Sequence, residues 1–334
     1  MYGKSRILTG IIIALVLTVV SGWKYLDYYA VTPADPGADK QVVMVRPGLG
    51  INALSRVLEE RRIIDSHLNF RVFFYLKHRY DRIKAGEYSL SAAMPPAEII
   101  RKLVKGEVVL HRLTIPEGYT VRQIAKLVDQ TGLADGESFL WLTADSKFLS
   151  GLGISADTAE GYLFPETYFF SKPITAEDIA AALVGRFQSV FSAEWKTRAQ
   201  ALGFSVHQIV TLASIIEKET ADPAERPLIS SVFHNRLKRG MRLESDPTVI
   251  YGISDFNGNI TRKHLDAPTA YNTYQISGLP PGPIASPGRA SLEAALYPAE
   301  SAFLFFVATG QGGHFFSTSY ADHSRAVRKY QLHQ

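Results

Sequence analysis

The sequence predicts an α+β protein in three parts: an N-terminal transmembrane helix, a small mixed module, and a mainly helical domain with a few short strands. Three observations carry that expectation. Residues 7–23 form one uncharged apolar run; strand-like stretches then alternate with amphipathic helices up to about residue 150; beyond it the helical period dominates until two strand-like stretches near the C-terminus. With 334 residues, 46% hydrophobic and 20% charged, the chain can bury more than one core, which excludes wholesale disorder. The 36 Lys and Arg exceed the 32 Asp and Glu by only four, and bases and acids interleave, as in Glu59-Glu60-Arg61-Arg62. No basic face asks for nucleic acid as a partner. The absence of cysteine removes disulfide frameworks, thiolate zinc sites, Cys nucleophiles and a lipid-modified N-terminal Cys.

Residues 1–6, with Lys4 and Arg6, read as a short cytoplasmic tail, and 7–23 as a single-pass anchor at the short end of the lengths that span a bilayer. The cations ahead of the run place the N-terminus in the cytoplasm and the rest of the chain outside. Ser21-Gly22-Trp23-Lys24-Tyr25 puts bulky residues where a signal peptidase needs small ones, which favours an uncleaved anchor over a signal peptide. Residues 24–40 are expected to be a linker, turn-rich from Thr32 to Lys40.

A module over 41–112 follows. Residues 41–46 are strand-like, Pro47-Gly48-Leu49-Gly50 turns, and Ile51, Leu54, Val57 and Leu58 share a helical face. A helix over 70–77, a strand over 84–90 and a helix over 96–104 complete it. The strand-turn-helix pattern returns at an offset of 70 residues, with a strand over 108–115, the turn Pro116-Glu117-Gly118, and Val121, Ile124, Leu127 and Val128 on one face. Residues 113–150 are thus a second such unit with its connector. The strand-Pro-Gly-helix opening resembles the LysM-like fold that binds N-acetylated glycans; the same glycine also serves simply to permit a tight turn. Over 151–334, helices are expected at 176–191, 206–220, 226–238 and 322–332, with strands at 303–309 and 314–318.

Helix 206–220 carries Glu217 and Glu219 near its C-terminal end. They point roughly 200° apart and cannot act as a pair. Glu219 continues the stripe of Leu212, Ile215 and Ile216, whereas Glu217 lies over Val210, Ala213 and Ser214. Desolvation and the negative helix end both raise the pKa of a carboxyl in Glu219's position, as a general acid requires. The plainer alternative is a solvent-facing Glu paired with Lys218 or Arg226.

Several blocks in order, Glu160-Gly-Tyr-Leu-Phe-Pro-Glu-Thr-Tyr168, Ala213-Ser-Ile-Ile-Glu-Lys-Glu-Thr220, Phe233-His-Asn-Arg-Leu237, Gly240 to Tyr251, Ala270-Tyr-Asn-Thr-Tyr274 and Gly278-Leu-Pro-Pro-Gly-Pro283, resemble the endolytic murein transglycosylase (YceG-like) family. The resemblance runs through essentially the whole chain and implies a lysozyme-like catalytic core. It implies a lytic transglycosylase that cuts the bond between N-acetylmuramic acid and N-acetylglucosamine within nascent peptidoglycan strands, leaving 1,6-anhydromuramyl ends. The family's catalytic Glu falls on Glu219. Tyr271 and Asn272 would orient it, Tyr168, Tyr251 and Tyr274 would offer faces for sugars, and Asn235 and Asp246 would join the site. Asn235 could equally satisfy backbone groups, and Asp246 cap the helix after Pro247. Glu244 stands where the family commonly has Gln; a second acid there could bind sugar hydroxyls or raise the pKa of Glu219.

No cofactor is implied, and the histidines, His207, His234, His264, His314 and His323 among them, show no short metal-ligand spacing. His314 and His323 read as hydrogen-bonding residues near the closing strands. Gly310-Gln-Gly-Gly313 lacks the Lys-Ser/Thr ending of a phosphate loop. A pyridoxal-phosphate lyase activity, aminodeoxychorismate lyase, would need a Lys and a phosphate cup that are not visible. The alternatives are a muramidase that adds water and a non-catalytic glycan-binding scaffold. Family resemblance also implies penicillin-binding synthases as partners and an inner-membrane location with the catalytic part in the periplasm.

Overall fold

The computed structural model describes residues 2–332 except 79 and 255, with side chains from Arg6 onward. Met1, the side chain of Lys4 and the last two residues of the expected 151–334 domain lie outside the described residues. The chain forms two compact units: one of Met1–His111 with Phe169–Pro173, the other of Arg112–Tyr168 with Ile174–Gln334.

The first unit opens with helix α1 (Tyr2–Val31), then β1 (Gln41–Val45), α2 (Ile51–Glu60), α3 (His67–Lys77), β2 (Gly86–Leu90) and α4 (Pro96–Lys105). Among the described residues, one helix, covering Arg6–Val31, is long and apolar enough to cross a membrane. It runs eight residues past the expected end at Trp23, so residues 24–31 of the expected linker are helical. Packing explains the extension: Tyr29 and Ala30 are buried in the core of this unit, and Asp27 pairs with Lys77. β1 and β2 pair antiparallel with Val43 opposite Tyr88, so Val43, Val45, Tyr88 and Leu90 point together onto Leu54, Leu58, Ile99 and Leu103.

The second unit continues with β3 (His111–Thr114), whose first residue belongs to the first unit, then α5 (Val121–Gln130), α6 (Gly136–Leu142), α7 (Ser146–Gly151) and β4 (Thr167–Phe170), whose last two residues belong to the first unit. β3 pairs with β4, a strand the sequence does not announce. There follow α8 (Ala176–Val190), α9 (Ala193–Ala201), α10 (Val206–Glu219), α11 (Arg226–Lys238), α12 (Asp246–Tyr251), α13 (Arg262–Asp266), α14 (Arg289–Leu296), the hairpin β5 (Phe305–Ala308) and β6 (His314–Ser317), and α15 (Tyr320–Tyr330). α10 is the central post: residues 209–216 are all buried, and it packs on α9, α11, α12 and α14. A capping box of Ser205 and Gln208 starts it. It stops at Thr220, whose backbone is extended and whose hydroxyl accepts the Asp222 N–H (3.0 Å), with Pro223 beyond.

Candidate active site

Because α10 stops where it does, Glu219 is its last residue and projects into a cavity of about 430 Å³ within the second unit. The other walls come from Arg236 on α11, Leu243 and Glu244 ahead of α12, Asp246 at its start, Tyr274, β5, His314 on β6 and His323 on α15. Burial dominates the electrostatics of Glu219 and pushes its pKa up to about 7. Asp246 pushes the same way; the hydrogen bond from Ser245, then His314 and Arg236, oppose it. Ser245 Oγ donates to Glu219 Oε1. The raised pKa agrees with the sequence argument, but the groups that act on the carboxyl are polar side chains from α11, the start of α12 and β6, not the apolar stripe of its own helix.

Each neighbour is itself held. Arg236 Nη1 donates to the carbonyls of Arg242 (3.1 Å) and Leu243 (2.9 Å) and to Glu244 Oε2 (3.0 Å), while Nε donates to Leu304 O (2.7 Å). Asp246 accepts the Tyr274 hydroxyl at 2.8 Å. It is the first residue of α12, and the N-cap is Ser245, so Asp246 does not cap that helix. Glu244 adopts φ +52°, unusual outside glycine, with its N–H on Thr273 O (3.2 Å). His314 is fixed by Glu225, which takes the imidazole at Nδ1 (2.6 Å) and the backbone N–H (2.7 Å). A Cβ at Gly313 would come within 3.1 Å of Glu225 Oε1, so the glycine-rich turn lets this carboxylate approach.

Of the sequence-predicted residues, Glu219, Glu244, Asp246 and Tyr274 line this cavity. The others lie elsewhere. Asn272 is fully buried and ties its own loop: Nδ2 donates to the carbonyls of His264, Leu265 and Ala267, and Oδ1 accepts the Tyr274 N–H (2.9 Å). It therefore positions Tyr274 and does not bond Glu219. Asn235 satisfies the carbonyls of Ser301 (2.9 Å) and Phe303 (3.0 Å), the backbone role foreseen as its alternative. Tyr168 donates to Phe164 O (2.7 Å). Tyr251 and Tyr271 pack together, centroids 4.8 Å apart, in a second cluster around Glu160.

That cluster holds a second raised carboxyl. Glu160 is 5% exposed, and burial pushes its pKa up to about 7. Both of its oxygens accept the Val121 N–H at the start of α5 (3.1 and 3.2 Å), and Oε2 also accepts the Tyr251 hydroxyl (3.1 Å). Glu217 differs again: its buried carboxylate takes Arg226 (3.3 Å) and the Gly288 N–H (2.9 Å), one of the pairings its alternative reading named for Glu219.

Sequence reasoning singled out none of Arg236, Ser245 and Glu225 for the cavity, and gave His314 and His323 only a structural role. Arg236 and Ser245 stand inside motif blocks and were in that sense visible; Glu225 and His314 are 89 residues apart and carry no local pattern.

A family model described as the YceG-like family matches residues 43–329. A Bacillus subtilis protein named endolytic murein transglycosylase is 34% identical over 86% of this chain and 84% of its own length. A Streptococcus pneumoniae protein of the same name is 31% identical over 94% of this chain, which spans 63% of that longer relative. The crystal structure of a YceG-like protein from Listeria monocytogenes superposes with a TM-score of 0.60 at 35% identity, covering 86% of this chain and 98% of that one.

Proposed function

The chain belongs to the YceG-like family, and on that premise we propose that it cuts peptidoglycan glycan strands as an endolytic murein transglycosylase, with Glu219 as its one acid and base. The observation that carries the assignment of Glu219 is its setting: a carboxyl with pKa pushed to about 7, opening into a polar cavity. The neighbouring acids are already committed, Glu244 to Arg236 and Asp246 to Tyr274. A single carboxyl that is half protonated near neutral pH can first give and then take a proton.

The chemistry follows. The Glu219 proton passes to the glycosidic oxygen as the bond to C1 of N-acetylmuramic acid breaks, and the substrate's acetamido oxygen supports the developing positive charge. The Glu219 carboxylate then removes the proton of the muramic 6-hydroxyl, whose oxygen bonds to C1. The acid is regenerated, no water is consumed, and the product ends in a 1,6-anhydro ring. Proximity of the 6-hydroxyl makes this an intramolecular closure. Ser245 occupies Oε1, so Oε2 carries the exchanging proton. His314, held by Glu225, favours the carboxylate formed between the two steps. Glu244 and Tyr274 are the proposed contacts for sugar hydroxyls.

The finer organisation belongs to the same reading. α1 anchors the protein by a single pass in the cytoplasmic membrane with the catalytic unit outside, the strand-turn-helix module of the first unit is a LysM-like glycan binder, and the second unit is a lysozyme-like core. Action on nascent strands beside penicillin-binding synthases completes the proposal.

Mass spectrometry of muropeptides released from purified sacculi by the detergent-solubilised full chain tests it, beside Glu219→Gln. Anhydromuramyl ends from the wild type and none from the variant are expected. Reducing ends, heavier by one water, would make the protein a muramidase, and equal product from both proteins would remove Glu219 from the mechanism. No product from either would favour the glycan-binding scaffold.

A further inference from the structure

Helix α3, His-Leu-Asn-Phe-Arg-Val-Phe-Phe-Tyr-Leu-Lys, is apolar on two opposite faces. Phe70, Phe73 and Phe74 fill the core of the first unit, whereas Leu68, Val72, Tyr75 and Leu76 form an outward stripe at helical spacing and are 46–55% exposed. A helix apolar all round requires cover on both sides.

The contacts of α3 with α1 say what the cover is. Asn69 Nδ2 donates to the Tyr25 hydroxyl (2.9 Å), while eight residues on, Lys77 Nζ sits 4.5 Å from the centre of the Trp23 ring and 3.6 Å from Asp27. The Tyr29 hydroxyl donates to the carbonyl of Ser66, the N-cap of α3 (3.1 Å), so the two ends of α3 meet α1 within about one turn of Tyr25. Eight residues of helix span about 12 Å, so α3 runs across α1 and not along it. That level is the end of the apolar run: Trp23 closes it, and Lys24 and Asp27 bring the first charges. Tyr25 lies only about 3 Å beyond Trp23 along the axis, inside the headgroup layer of roughly 5–7 Å that flanks the hydrocarbon. Trp and Tyr at this depth, with a Lys whose ammonium lies over the Trp face, are the ordinary furniture of a membrane interface.

We propose that α3 is an interfacial helix: its Leu68–Val72–Tyr75–Leu76 stripe lies in the headgroup and acyl boundary of the bilayer that α1 crosses, docking the first unit flat on the membrane. The occupant of this surface is lipid, not protein. The inference rests on α1 being a membrane anchor and is independent of Glu219 and of the reaction. Its consequence is positional. A tether alone would let the unit swing, whereas two contacts at right angles fix its height and tilt over the membrane.

The absence of native cysteine gives a clean test. Single Cys substitutions Val72→Cys, Leu76→Cys, Ile13→Cys within the anchor, and Arg46→Cys in the turn after β1 are introduced into the full chain. Each carries a nitrobenzoxadiazole label, in vesicles of phosphatidylethanolamine and phosphatidylglycerol with or without shallow nitroxide-bearing lipid. Blue-shifted emission at 72 and 76, quenched several-fold by the nitroxide lipid, with water-like emission at 46, is expected. In a Leu68→Glu, Val72→Glu, Leu76→Glu background, a label at Tyr75→Cys should return to water-like emission while Ile13 stays in lipid. Water-like emission at 72 and 76 would overturn the proposal. So would labels shielded yet unquenched by lipid, since protein would then cover the stripe. An unshielded label at 13 would remove the anchor and the proposal together.

Discussion

The surroundings of Glu160 and of Glu219 form a natural experiment within one unit. Burial raises both carboxyls to about 7. Glu160 is closed in by the Val121 N–H and the Tyr251 hydroxyl and clamps the start of α5 to the end of α12. Glu219 has one oxygen on Ser245 and opens into a cavity with charged groups on every side. The difference teaches that a shifted pKa marks only a desolvated acid; access for a substrate and partners that stabilise both protonation states make it an acid catalyst.

The sharpest way to break the comparison is to neutralise each acid. Glu219→Gln should reduce strand cleavage by about a thousandfold or more, the weight of a lost general acid and base. Glu160→Gln, measured in the same muropeptide assay, should leave the folded enzyme cleaving at a rate close to wild type. Equal losses from the two variants would abolish the distinction between clamp and catalyst.

Stability reverses the emphasis. The folded pKa of Glu160 lies near 7 against an unfolded value near 4.5, so the folded state holds a proton that the unfolded state releases. Its contribution is fully present below about pH 4.5 and is lost as pH rises through about 7, a change of ~3 kcal/mol for this shift. Urea unfolding at pH 5 and pH 8 should show the wild type losing that much more stability than Glu160→Gln over the interval. A pH-independent difference between the two proteins would mean that Glu160 holds no more protons in the folded than in the unfolded state over this interval.

Within the cavity, His314 and Arg236 both favour the Glu219 carboxylate, a part that Arg122 plays for Glu160. His314→Gln removes the support that His314 gives the Glu219 carboxylate, so the pKa of Glu219 rises and the alkaline limb of the cleavage rate against pH moves upward. Superposition of the two profiles would show His314 to be only a packing residue of the hairpin.

The contrast also marks where the sequence was readable. The helical face of Glu219, the strand pair at 305–317 and the two amphipathic modules follow from local periodicity, which one segment carries alone. The cavity does not, since Arg236, Ser245, His314 and Glu225 meet through both ends of α11, the start of α12 and the start of β6. The aromatic residues are harder to read for a related reason: Tyr168 and Tyr251 suggest sugar platforms by type and Tyr271 a partner that orients Glu219, yet the first two spend their hydroxyls on Phe164 O and Glu160, and Tyr271 packs on Tyr251. Helix α1 outran its expected end because charges at Lys24 and Asp27 end an apolar run without ending a helix; Tyr29 and Ala30 extend it by packing on the core.

Tyr274 is the aromatic residue that remains at the cavity, and it gives the smallest effect. Its hydroxyl holds Asp246, and Asp246 raises the pKa of Glu219. Tyr274→Phe keeps the ring and frees the carboxylate of Asp246, costing about 1 kcal/mol of folding stability for one part-buried hydrogen bond. If the ring is the sugar platform, cleavage persists within about tenfold of wild type in Tyr274→Phe, while Tyr274→Ala loses the ~0.5–1.5 kcal/mol that an aromatic face contributes and shows it as a raised KM with little change in kcat. A loss confined to kcat in both variants would instead assign Tyr274 to the proton chemistry through Asp246, and would make this tyrosine a counterpart of Tyr251, with both acids then governed by a phenol on a neighbouring loop or helix.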